Sequence, residues 1–186
     1  MIKRTLLFLL PVLWLHAEEL QVQFSPSDTH IQYTLTGLHT VKGTFRFKSG
    51  DMRFDTAGGK ASGMLIVDAT SGQSGDHARD DRMHKEIIQS GKYSEISFAP
   101  DSIDGPVKTD GESTVQVHGL FAIHGSQHPI TIPAQVHIAN GNLNLTSSFT
   151  IPYVEWGIKD PSKLIFRVSN TVKIDMQAAG KLGGAQ

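Results

Sequence analysis

The stretch DHARDDRMHKEIIQSGKY, Asp76 to Tyr93, gathers two histidines, three aspartates and two arginines into eighteen residues. On a helix, His77, Asp81 and His84 stand at i, i+4 and i+7 and share one face. Two imidazoles and a carboxylate form a credible metal set, and a metal held there would support metal-assisted hydrolysis. A polar face turned to solvent needs the same residue types. No HExxH, GxSxG or phosphate-loop pattern accompanies them, and no pair of carboxylates stands in a recognisable catalytic frame. A Ser–His–Asp arrangement stays open, because its members need not be close in sequence. His118 and His124 fall on the polar parity of an alternating segment. His124 also begins an HG turn, which makes it the histidine to watch for ligand contact.

These residues must be positioned by what surrounds them. Asp76 is a suitable N-cap and Gly91 a suitable stop, so Asp76–Gln89 reads as a helix of about three turns. Met83, Ile87 and Ile88 give it a narrow apolar stripe. On either side the period is two. Ile31, Tyr33 and Leu35 alternate with polar residues, and Val41, Phe45 and Phe47 continue the pattern up to a break at Ser49–Asp51. Ile96 and Phe98 make a short strand closed by Pro100. Val115, Val117, Gly119, Phe121 and Ile123 share one parity, as do Ile130, Ile132, Ala134, Val136 and Ile138, the latter followed by the hairpin signal NGN. About eight antiparallel strands with one apolar parity predict an all-β sandwich or barrel, and only a barrel removes the edges. Tyr153 and Trp156 read equally as core aromatics or as the lip of a pocket.

The chain opens with Lys3 and Arg4, an apolar run from Thr5 to Leu15, and Ala17 at a cleavage position. This is a secretory signal, too short to span a bilayer. Residues 1–17 are thus expected to be removed, 18–179 to form one domain and 180–186 a flexible tail. Without Lys3 and Arg4 the formal charge moves from −1 to −3, unsuited to nucleic acid. With no cysteine, disulfides and thiolate metal sites are excluded. The expected location is periplasmic or secreted.

Four motifs in order resemble the YceI-like family of exported polyisoprenoid-binding proteins. They are TGLHTVKGTFRFKSGDMRFD, with HTVKG at His39–Gly43, then ARDDRMHKEIIQSGKYSEISF, VHGLFAIHGSQHPITIP and WGIKDPSKLIFRVSNTVKID. The likeness covers about Gln21 to Ala179. Ser94 stands where the family has proline, and Ser126–Gln127 where it has Val-Thr. The resemblance implies an antiparallel, lipocalin-like extended barrel with the helix at its rim. Its lumen would hold a long apolar chain, such as a polyisoprenoid, an isoprenoid quinone or a fatty-acid derivative, for transport, storage or stress response. Ile31, Tyr33, Phe45, Phe47, Phe54, Ile96, Phe98, Val117, Phe121, Ile123, Phe149, Trp156 and Phe166 would line that lumen, with Met83, Ile87 and His124 as lid or rim. No catalytic residue, metal or cofactor beyond the lipid is expected. Transient membrane contact and a homodimer are compatible with this reading. The competing readings are the hydrolase built on His77, Asp81 and His84, and a filled barrel that binds no lipid.

Overall fold

Alternation builds the wall. In the computed structural model, which describes residues 18–162 and 167–184, the strands are β1 Glu19–Phe24, β2 His30–Leu35, β3 Val41–Asp55, β4 Gly59–Gln73, β5 Glu95–Asp104, β6 Gly111–Ile123, β7 Ser126–Ala139, β8 Asn142–Ile151 and β9 Val172–Gly184. Helix α1, His77–Arg82, lies between β4 and β5. Every pairing is antiparallel, and the sheet closes on itself. Nine strands fill eight positions, because β1 and β2 lie end to end between β3 and β9. β1 pairs with Asp51–Asp55 and Gly180–Gly184, and β2 with Val41–Arg46 and Lys173–Gln177. A short 3-10 turn, Pro26–Asp28, separates them. Closure removes the free edges that a sandwich would leave.

Three segments depart from the sequence expectation. Ser49–Asp51 does not end a strand. β3 runs through it, and a register shift between Phe47 and Ser49 moves the buried parity from Phe45 and Phe47 to Gly50, Met52 and Phe54. β5 likewise passes through Pro100 with a shift between Pro100 and Ser102. A bulge inserts one unpaired residue, so the chain flips face without leaving the sheet, and proline is tolerated there. Gly180–Gly184, expected as a loose tail, continues β9 against β1 and β8.

One part of the wall is unzipped. β7 pairs with β6 along Ser126–Ile138 but with β8 only from Ala134 to Ala139. Ser147 Oγ donates to the Pro133 carbonyl at 2.7 Å, so that side of Pro133 faces β8. Pro133 has no N–H to offer β8, nor has Pro129, four residues away on the same parity.

The helix starts as read, with the Asp76 carboxylate accepting from the Arg79 amide at 3.0 Å. Its second half is a wider π turn, Met83–Ile87, closed by Ile88 N–H to the Met83 carbonyl at 3.0 Å. Gly91 is not the stop. Gln89 takes the left-handed conformation, at φ 49°.

The interior divides into two packed clusters. Leu20, Val22, Phe54, Ile103, Val107, Val115, Ile138 and Leu143 fill the end away from the helix. At the helix end Ile87, Ile88, Ile96, Phe121, Ile123, Ile151, Tyr153 and Ile158 form a looser ring.

Candidate functional site

Between these clusters lies a cavity of about 520 Å³. That volume falls within the ~300–1,000 Å³ typical of small-molecule sites. Side chains from strands β2 to β9, from Phe24 at the end of β1, from the helix and from the chain between β8 and β9 line it, nearly all of them apolar. Among the described residues, Arg79 and Arg82 are the charged ones on its surface, and both come from α1 at the mouth.

Of the residues expected in a lumen, Ile31, Tyr33, Phe45, Phe47, Ile96, Phe98, Val117, Phe121, Ile123 and Phe149 line this cavity, as do Met83 and Ile87 from the rim. Phe54 does not. It lies beyond the β3 bulge, buried in the filled end. Trp156 does not line it either. Its indole stacks on His128 at 4.2 Å with the two rings nearly parallel, and packs on Phe121 at 5.8 Å, so it belongs with the partly buried residues around the ring at the helix end. Phe166 lies outside the described residues. Sequence reasoning left out many lining residues, Phe24, Leu35, Met52, Leu65 and Met176 among them, and it missed both arginines as cavity residues. Leu20, Val22 and Phe24 alternate like the other strands and would have given Phe24. Met52 depended on the bulge.

A polar network fixes the helix over the mouth. The Asp80 carboxylate accepts from the Ser74 hydroxyl and, at 2.9 Å, from the Ser74 amide, while Arg79 Nε donates to Ser74 Oγ at 2.7 Å. Burial pushes the Asp80 carboxyl up, but the Ser74 hydrogen bonds with the Arg79 and His84 charges outweigh it and hold the group below its ordinary range. Gly72 makes the docking point. A β-carbon there would meet Met83 Cε at 2.7 Å, and its carbonyl lies 2.8 Å from His84 Nε2. Tyr33 donates to Met83 Sδ at 3.6 Å. Lys159 reaches Glu86 at 2.8 Å and ties the chain after β8 to the helix. That chain is itself anchored by Tyr153, whose hydroxyl donates to the Ser169 carbonyl at 2.8 Å. Burial, with the charge of Asp160, pushes the Tyr153 phenol up to about 12.

The proposed metal triad is not assembled. His77 is exposed, Asp81 pairs with Lys85 at 3.1 Å, and His84 turns inward with both ring nitrogens used, Nδ1 on Ser90 Oγ at 2.8 Å and Nε2 on Gly72. Among the described residues no three His, Asp or Glu side chains come together to hold a metal. His118 faces outward between Asp104 and Thr131, at 2.8 Å from each. His124 sits in the β6–β7 turn at φ 53°, its ring 4.7 Å from Tyr93. It is at the helix end of the barrel but does not line the cavity.

The YceI-like domain family matches residues 20–179, from the second residue of β1 to Ala179 within β9. The chain belongs to the YceI-like family. Among its relatives, a UPF0312 protein of Pseudomonas savastanoi pv. phaseolicola is 27% identical over 152 residues, covering 77% of this chain and 75% of that protein. A UPF0312 protein of Vibrio parahaemolyticus is 35% identical over 103 residues, 53% of this chain and 51% of that one. Solved YceI-like structures share the fold at low identity. Burkholderia cenocepacia BcnA superposes with a TM-score of 0.71 at 16% identity, covering 84% of this chain and 98% of its own. A polyisoprenoid binding domain from Saccharophagus degradans gives 0.63 at 14% identity, covering 90% and 100%. The YceI-like barrel with one short helix is therefore the fold of this chain.

Proposed function

We propose that this protein is a non-catalytic carrier that holds a single long apolar chain inside the barrel. The observation that carries this reading is the 520 Å³ cavity, whose described lining is nearly all apolar, with Arg79 and Arg82 as the charged residues at its mouth. The polyisoprenoid binding named for the Saccharophagus degradans neighbour points the same way. Each buried methylene contributes ~0.8 kcal/mol, so affinity accumulates along the chain without any special residue. The guanidiniums of Arg79 and Arg82 meet the polar head of the ligand where it leaves the cavity.

Export belongs to the same proposal and rests on the signal-like residues 1–17. Loading occurs at a membrane surface, with Leu38 touching the lipid. This side chain, on the β2–β3 turn at the helix end, is 69% exposed. The deciding experiment is mass spectrometry of an organic extract of the protein purified from its own host. A near-stoichiometric apolar chain is expected, on a polypeptide lacking its first 17 residues. Extracts with no lipid would favour the filled-barrel reading instead.

A further inference from the structure

The cavity stops halfway down the barrel, and what stops it is built. From Ile123 to Val117, β6 offers six residue steps to the cavity. At ~3.3 Å per residue on a strand tilted by ~40°, that is a depth of about 15 Å. Below this depth the barrel is filled with packed side chains. Six buried residues line the cavity and belong to that packed cluster at once, Phe24, Ile31, Phe47, Met52, Val117 and Ala134; of these, Phe24 at the end of β1 and Phe47 and Met52 on either side of the β3 bulge make up its floor. Phe24 and Phe47 meet edge to face at 6.5 Å and 84°, and they are 2% and 1% exposed. Phe47 is wedged from below as well. A β-carbon on Gly50 would come within 2.7 Å of its Cζ, so only glycine leaves room for the ring where it lies. The bulge just after Phe47 places both residues on the inner face.

We infer that this Phe24–Phe47–Met52 floor is a ruler that sets the length of the apolar chain the protein accepts. The inference rests on the lipid-carrier reading and goes further: a chain longer than the cavity must bend back or leave its far end in water. Within the cavity each added methylene should raise affinity about fourfold, the equivalent of ~0.8 kcal/mol. Once the tip reaches the floor, the gain per methylene should vanish.

The test is binding of a homologous series of saturated fatty acids to delipidated protein, followed by calorimetry. Wild type should show a break in the plot of affinity against chain length. Phe47→Ala should move the break to longer chains. Should that variant fail to fold, Met52→Ala opens the same floor more gently. Val117→Phe narrows the cavity just above the floor and should move the break to shorter chains. If wild type binds no acid of any length, the carrier reading fails and the ruler with it. If wild type binds but has no break, or the floor-opening and cavity-narrowing variants leave the break in place, the carrier reading stands and the ruler is overturned.

Discussion

Removing the His84 ring would strand two polar partners, the Ser90 hydroxyl, which is buried, and the Gly72 carbonyl. His84→Ala should therefore cost ~1–3 kcal/mol, whereas His77→Ala, on an exposed position, should stay within about 0.5 kcal/mol. Urea unfolding of the two single variants separates them. A metal role shared by both residues would instead make the two losses alike and metal-dependent. Asp80 supplies a pH dependence. Its folded-state carboxyl titrates below the ordinary value of ~3.9. The stability it contributes is then present above that value and lost as pH falls through the lower folded one. Asp80→Asn should be less stable than wild type at neutral pH, and the gap should close in acid. Unfolding midpoints measured from neutral pH down to the carboxylate range would show it. A constant gap would mean that Asp80 acts only by shape.

At the scale of elements, the helix matters through its apolar side. Ile87 is buried and lines the cavity, so Ile87→Ala should cost ~2–5 kcal/mol. Wild-type stability in that variant would mean that the helix is a loose flap. Glycine in β6 is a second test. A β-carbon on Gly119 would collide with the Ala99 carbonyl oxygen across the β5–β6 ladder and press on Phe98 at 2.9 Å. The obstacle is backbone, which cannot rotate away, so Gly119→Ala should cost ~1–3 kcal/mol despite adding only a methyl. Thermal unfolding would detect it. The sequence displayed Gly119 as one more inward position in an alternating run. That it also sits opposite Pro100, beside the β5 bulge, is a property of the pairing.

For the whole molecule, closure at the filled end depends on the last residues of β9. Truncation after Ala179 would remove five residues paired with β1, from Gly180 to Gly184. At ~0.5 kcal/mol net per hydrogen bond the loss should reach at least ~2.5 kcal/mol. It would also uncover Val22, which is fully buried and packs against Gly180. A truncated chain as stable as the full one would mean that β1 closes on β3 alone.

The sequence by itself determined the all-β class, the inward parity of β6 and β7, the cap at Asp76 and the family, because alternation and caps are local patterns readable within a few residues. It also supplied part of the cavity wall, since side chains of one parity must share a face once the strands pair. What only the tertiary structure decided was where that pattern changes phase. The bulge after Phe47 turned Phe54 inward in the filled end, and the break in pairing up to Pro133 left Trp156 to pack beside the unzipped wall. His84 turned inward because the Gly72 carbonyl, twelve residues earlier, was there to receive it. The division of the barrel into a filled half and an open half followed from the same cause. Whether a Phe lines space or fills it depends on the residues facing it across the barrel, and those are brought there only by closure.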